Sequence, residues 1–183
     1  MKKTVLTFGL ISGVVICVLM GGQLLLANKI GSGHSLLLGY VTMVASFLLI
    51  YFGIRSYRDN ILAGQISFGR AFSCGILIAL ITCVCYVIMW EVLYFNFMPH
   101  FLDSEWADAI HKAQTSGLDP ATTAAKVAAI QRQAQQYQNP FINAAYTFME
   151  PFPVGLLITL ISAALLRRKS PTPGNASTNL ALT

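Results

Sequence analysis

Four long apolar stretches, near residues 4–27, 36–54, 71–98 and 141–166, constrain this chain more than anything else in it. Each is long enough to cross a hydrocarbon core, which takes about 20 helical residues. The rest of the composition agrees. Of 183 residues, 55% are hydrophobic and only 10% charged, where an ordinary soluble domain is about 25% charged. That balance excludes a soluble globular domain and a disordered chain. The expected fold is all-α: a polytopic bundle of four transmembrane helices forming a single membrane domain over residues 1–169.

The net charge of +5 does not point to nucleic acid, because its placement follows the spans. If the four helices alternate in direction, Lys2, Lys3, Arg55, Arg58, Arg70, Arg167, Arg168 and Lys169 fall on one side. Only Lys29, Lys112, Lys126 and Arg132 fall on the other. Positive charge collects on the cytoplasmic side of spanning segments. The expected location is therefore a bacterial inner membrane, multi-pass, with both termini cytoplasmic. The arginines Arg55, Arg58, Arg70, Arg167 and Arg168 and the lysine Lys169 then serve as topogenic residues against the lipid headgroups, with an anionic-lipid or partner site as the alternative.

Cysteine use suggests no disulfide framework. Cys17, Cys74, Cys83 and Cys85 all lie inside the apolar stretches, where cysteine behaves as a small hydrophobe. Cys83 and Cys85 are two apart and point to different faces of a helix. Lys2 and Lys3 before an apolar run resemble a secretory leader. The run is too long for one, and Leu26-Ala27-Asn28 offers no small-residue cleavage pattern. It reads as an uncleaved first span, and neither end carries a lipidation signal.

Within the first span, Gly9 and Gly13 form a GxxxG pattern that allows close approach of another helix. A short turn-rich loop over residues 28–35 makes the first two spans antiparallel neighbours. In the loop between the second and third spans, Ile61, Leu62, Ile66 and Phe68 are placed at the interface, and Gly64 and Gly69 at bends. The third span ends in an aromatic belt, Tyr86, Trp90, Tyr94, Phe95 and Phe97, closed by Pro99.

Residues 99–140 are the sizeable hydrophilic segment and read as an outer helical hairpin. Its first helix is expected from about Ser104, as N-cap, to Ser116, with Gly117 as the stop. The second starts at Asp119-Pro120 and runs to Gln138. Its apolar stripe, Ala124, Val127, Ala128, Ile130 and Ala134, is thin. A hairpin of this size cannot bury a core alone, so it rests on the membrane, the bundle or a partner. In the fourth span Pro151 and Pro153 interrupt the helical hydrogen bonds. The tail, residues 170–183, has the composition of a disordered cytoplasmic segment.

Several blocks together form a recognisable pattern. They are Lys2-Lys3-Thr4 with Gly9-Leu10-Ile11-Ser12-Gly13, then Phe52-Gly53-Ile54-Arg55-Ser56-Tyr57-Arg58-Asp59, then Ile66-Ser67-Phe68-Gly69-Arg70-Ala71-Phe72, and Pro153-Val154-Gly155-Leu156-Leu157 through Arg167-Arg168-Lys169. The pattern resembles bacterial integral membrane proteins grouped as domain of unknown function 4199. The resemblance covers nearly the whole chain up to Lys169. It implies four spans with a variable outer segment between the last two, and it supplies no activity, substrate or site.

Candidate chemistry rests on two carboxyl groups in apolar surroundings, Glu91 and Glu150. Such residues are costly in a membrane and usually face a cavity or a partner. Glu150 lies 16 residues from Leu166, about 24 Å up the helix, and Glu91 lies 20 residues from Ala71, about 30 Å up. Both belong to the outer part of the bundle. One reading makes them a proton or cation site beside the break at Pro151 and Pro153, as some transporters build. The other has them meet outer water, or pair with Lys29, Lys126 or Arg132 and fix the hairpin onto the bundle. A cluster at His100, Asp103, Glu105, Asp108 and His111 lacks any metal-site pattern, so no metal is expected. Nucleophile, nucleotide and phosphate motifs are absent, so neither an enzyme nor a cofactor is expected.

The function read from these residues is a non-enzymatic scaffold, assembly or envelope-associated membrane protein. Its expected partners are the lipid bilayer, a protein met through the hairpin, and in one variant a second copy of itself. The alternative is a small oligomeric channel or a proton- or cation-coupled transporter that uses the glutamates.

Overall fold

The computed structural model describes residues 1–30 and 32–168, with side chains described for 1–23 and 37–168. The Lys29 side chain, Lys169 and the tail expected to be disordered lie outside the described residues. The described chain is helical: α1 (Lys2–Ile30), α2 (Ser32–Ile61), α3 (Phe68–Asn96), α4 (Asp103–Gln114), α5 (Pro120–Tyr137), α6 (Pro140–Met149) and α7 (Pro151–Leu166). Four segments within it are long and apolar enough to cross a membrane: Lys2–Gln23, Leu37–Ile61, Phe68–Asn96 and Pro140–Leu166. The chain is a membrane-embedded helical protein.

Several helix ends differ from the apolar runs that announced them, each for a local reason. α1 and α2 are helical to Ile30 and from Ser32, so the loop expected over residues 28–35 is mostly helix. α2 continues past residue 54 to Ile61. Its polar end is tied internally, by Arg55 to Asp59 at 3.6 Å, Arg58 to Asp59 at 2.6 Å, and the Asn60 amide donating to Ser56 Oγ at 3.1 Å. α3 begins three residues before Ala71, because Ser67 caps it through the Arg70 amide. Gly69 and Arg70 are thus in its first turn. α4 starts at Asp103, and Leu102, with no side-chain bond, takes the cap position expected of Ser104. Gly117 does sit at a positive φ of 70° beyond α4, the conformation glycine adopts without penalty.

Side-chain pairings fix the arrangement of the spans. Gly9 faces Ile81 and Gly13 faces Cys85, so α1 and α3 run parallel. The Ser12 hydroxyl donates to the Ser46 carbonyl at 2.9 Å and Gln23 reaches Leu38 and Thr42, so α1 and α2 are antiparallel. Gly75 faces Thr159 and Ala79 faces Gly155, so α3 and α7 are antiparallel. Within the described residues α2 and α3 touch each other, and α1 and α7 each touch both, but α1 and α7 do not touch. The four spans form a rhombus with α2 and α3 on the short diagonal.

Small residues make the seams close. A Cβ added at Gly75 would stand 2.8 Å from Thr159 Cγ2, and one at Gly155 would stand 3.0 Å from Phe47 Cε1. Apolar surface gains little by leaving lipid, so contact of this kind is what holds spanning helices together. Phe47, Ile50, Ile54, Cys74, Ile78, Ala79 and Cys83 are fully buried in the resulting core.

The end that carries Lys2 and Lys3 also carries the α2–α3 loop and the C-terminus of α7. There the Arg58 guanidinium donates to the Leu166 carbonyl at 3.5 Å, and the Arg168 amide donates to the Ile66 carbonyl at 2.9 Å. Ile66, expected at the interface, is 2% exposed instead, because this bridge folds its side chain into the bundle.

Candidate functional site

The fourth span is two helices meeting at Glu150. Asn139 caps α6 by accepting the Phe141 amide at 3.0 Å, and Pro140 begins the helix. Pro151 then begins α7. Proline has no amide hydrogen, so Pro151 and Pro153 leave the carbonyls of Thr147 and Met149 without their usual donors four residues on. Glu150 keeps helical dihedrals, φ −76° and ψ −58°, so the break is a joint rather than a loop. The span changes neighbours across it. α7 lies against α2 and α3, whereas α6 lies against α3 and α5 and leaves α2.

One face of α3 meets this joint. Tyr86, Trp90 and Tyr94 are spaced by four and line up on the helix. The Tyr86 hydroxyl donates to Glu150 Oε2 at 3.1 Å, the Trp90 indole N–H donates to the Tyr137 hydroxyl at 3.1 Å, and the Gln138 amide donates to the Tyr94 hydroxyl at 3.0 Å. Asn143, fully buried, continues the network on α6. Its amide donates to the Tyr137 carbonyl at 3.2 Å and its oxygen accepts the Thr147 hydroxyl at 3.1 Å. A buried asparagine is tolerated where its amide and its carbonyl both find partners. Around these bonds the rings interlock: Trp90 stacks on Tyr94 with centroids 5.9 Å apart, and Tyr137 meets Tyr94 and Trp106 edge-on at 5.6 and 6.1 Å. Burial raises the pKa of the Tyr137 hydroxyl above the ordinary phenol value, so the group stays a neutral donor and acceptor.

Glu150 is exposed on the joint apart from its bond to Tyr86. Glu91 is half-buried, and its Oε1 is buried with no hydrogen-bond partner among the described residues. Among the described residues the ion pairs are Arg55–Asp59, Arg58–Asp59 and His100–Asp103, and none includes either glutamate. Lys126 and Arg132 are exposed on α5. His100 of the hydrophilic cluster lies 2.9 Å from Asp103. No three histidine, cysteine or acidic side chains gather as metal ligands among the described residues.

Of the packing glycines, Gly13 is the more crowded. A Cβ there would stand 2.6 Å from Cys85 Sγ and 2.9 Å from its Cβ, against 2.9 Å to Ile81 Cβ at Gly9. Arg55, Arg58, Arg70, Arg167 and Arg168 all belong to the end that carries Lys2 and Lys3.

Tyr137, Gln138, Asn143 and Thr147 escaped the sequence reading, which took Tyr86, Trp90 and Tyr94 only as an interfacial belt. The available signal was the spacing by four on α3 opposite an asparagine inside an apolar run. No curated protein and no solved structure matches this chain. A family model described as protein of unknown function (DUF4199) matches residues 7–168. The chain belongs to that family, as its sequence blocks implied.

Proposed function

We propose that this chain is a non-enzymatic scaffold, assembly or envelope-associated protein of a bacterial inner membrane. In this reading both termini are cytoplasmic, and α4 and α5 form a helical hairpin on the opposite side that meets a partner protein. The observation that carries it is α5. Its 18 residues include none that is buried, although the helix packs along α4 and meets α6. Tyr137 and Gln138 fasten its end to α3. A helix held at one end, with one side against α4 and the rest of its length open, suits presentation of a surface. The test is a photo-crosslinking side chain at Ala125, compared with one at Leu165 on the lipid-facing side of α7. A discrete adduct with one protein from Ala125 alone supports the reading. Adducts with lipid only, from both positions, overturn it.

A second reading is favoured by Glu150, an exposed carboxyl inside a candidate span at a joint that frees two carbonyls. Carbonyls released by broken helices and intramembrane acids are what ion-coupled transporters use. An oligomeric channel or a proton- or cation-coupled transporter built on that joint would show flux in liposomes. Glu150→Gln would abolish the flux in protein that is still folded.

A further inference from the structure

An apolar groove of about 290 Å³ lies between α3 and α6, lined by Val84, Val87, Ile88, Ala144, Ala145 and Phe148. That volume is just below the range of small-molecule sites, about 300–1,000 Å³. The groove opens sideways, since Val84 is 50% and Ile88 58% exposed on a helix that spans the membrane. Its surroundings are therefore lipid chains.

Glu91 lies beyond the apolar lining of the groove, along the same face of α3. Glu91 follows Val84, Val87 and Ile88 on α3 at spacings of seven, four and three, which places it on the same stripe one turn further on. Helical side chains lean toward the N-terminus of their helix, which carries Glu91 back over the turn of Val87 and Ile88. Its Oε1 is buried, and no group among the described residues donates to it. A buried acceptor without a donor is costly, and the need is greater in a carboxyl group set in an apolar wall.

We infer that this groove is a lipid site that takes an ethanolamine phospholipid, with an acyl chain along Val84 and Ala145 and the primary ammonium at Glu91. The chemistry at Glu91 selects the lipid. A primary ammonium brings both a positive charge and N–H donors, which Oε1 lacks. A choline headgroup brings the charge without a donor. The height of Glu91, about 30 Å along α3 from Ala71, places it where headgroups begin. The site is separate from the Glu150 joint, whose carboxyl is held by Tyr86.

The test uses the full-length protein in phosphatidylcholine nanodiscs, with a photoactivatable diazirine in the acyl chain of either an ethanolamine or a choline phospholipid. The ethanolamine probe labels α3 and α6 peptides around Val84–Ile88 and Ala144–Phe148 at least tenfold more than the choline probe. Labelling falls about tenfold in Glu91→Gln, is lost when Ala145→Trp fills the groove, and is unchanged in Glu150→Gln. Equal labelling by the two headgroups overturns the inference using unaltered protein, so the result does not hang on a variant's folding. Undiminished labelling of folded Glu91→Gln overturns it as well. Displacement of the probe by dodecylamine but not by unlabelled ethanolamine phospholipid also overturns it, in favour of a soluble amine.

Discussion

A tyrosine hydroxyl that donates to a carboxyl group inside a spanning helix has few other partners to choose from. Tyr86 is 9% exposed and its bond to Glu150 Oε2 is 3.1 Å long. Removing the hydroxyl in Tyr86→Phe is expected to cost about 1 kcal/mol, the scale of interhelical hydrogen bonds in membranes. Glu150→Gln keeps an oxygen that accepts the same hydroxyl, so it should cost less. The double variant should be no less stable than Tyr86→Phe alone, because the two residues share one interaction. Unfolding by titration with a denaturing detergent measures all three. Additive losses would show that the pair is not coupled. Gly13 makes a complementary case, in which the absence of a side chain matters. Gly13→Val drives a Cβ against both Sγ and Cβ of Cys85, and overpacking of this kind costs about 1–3 kcal/mol. Pairing it with Cys85→Gly, which removes the opposing atoms, should restore part of the loss in the same assay.

At the scale of elements, α5 is the piece whose stability depends on its own ends. Asp119 accepts the Thr122 amide at 3.0 Å and Pro120 follows as the first helical residue. The hydrogen bonds from Thr122 hold the Asp119 carboxyl below its ordinary value. A depressed folded pKa gives a stabilising contribution that is complete above the unfolded value of about 3.9 and is lost as pH falls through the folded one. Amide exchange at Thr122 should therefore speed up, relative to the intrinsic rate, as the pH drops below about 4. Asp119→Asn, which caps without titrating, should remove that pH dependence, and its persistence there would refute the assignment. The elements also show what a sequence conveys. Asp119-Pro120 announces the start of α5 through local chemistry, and Pro151 announces the joint, whereas the start of α6 at Asn139-Pro140 went unread. The extension of α2 to Ile61 was hidden because hydropathy falls at Arg55, while the ion pairs of Asp59 keep the backbone helical. The docking of Tyr137 on Trp90 was hidden for a different reason. Periodicity reveals which face of a helix is special, and it does not reveal which helix that face will meet.

For the whole molecule, the helix directions gather Lys2, Lys3, Arg55, Arg58, Arg70, Arg167 and Arg168 at one end, and leave Lys112, Lys126 and Arg132 with α4 and α5 at the other. The proposed orientation, with the basic end in the cytoplasm, rests on that asymmetry. A cysteine placed at residue 125 should react with an impermeant thiol reagent added to intact spheroplasts, while one added before Lys2 should react only after lysis. The reverse pattern would invert the molecule and with it the proposed partner surface. Four spans were legible from hydropathy alone, but the rhombus was not. Which pairs of spans touch is decided by Gly75 opposite Thr159 and Gly155 opposite Phe47, contacts between residues about 80 to 110 positions apart that no local pattern encodes.

The rhombus has a consequence for how the protein is made. α1, α2 and α3 each contact the other two, and within the described residues α7 touches only α2 and α3 of them. A nascent chain that has reached Phe97 already holds every element of one complete triangle. The last span then arrives at a finished face of α2 and α3, delivered after a long polar excursion across the bilayer. These contacts predict assembly in two steps, nucleation and closure, with the closing piece the one that carries a joint. Separately expressed segments 1–98 and 99–183 should for this reason find each other in the membrane and co-purify.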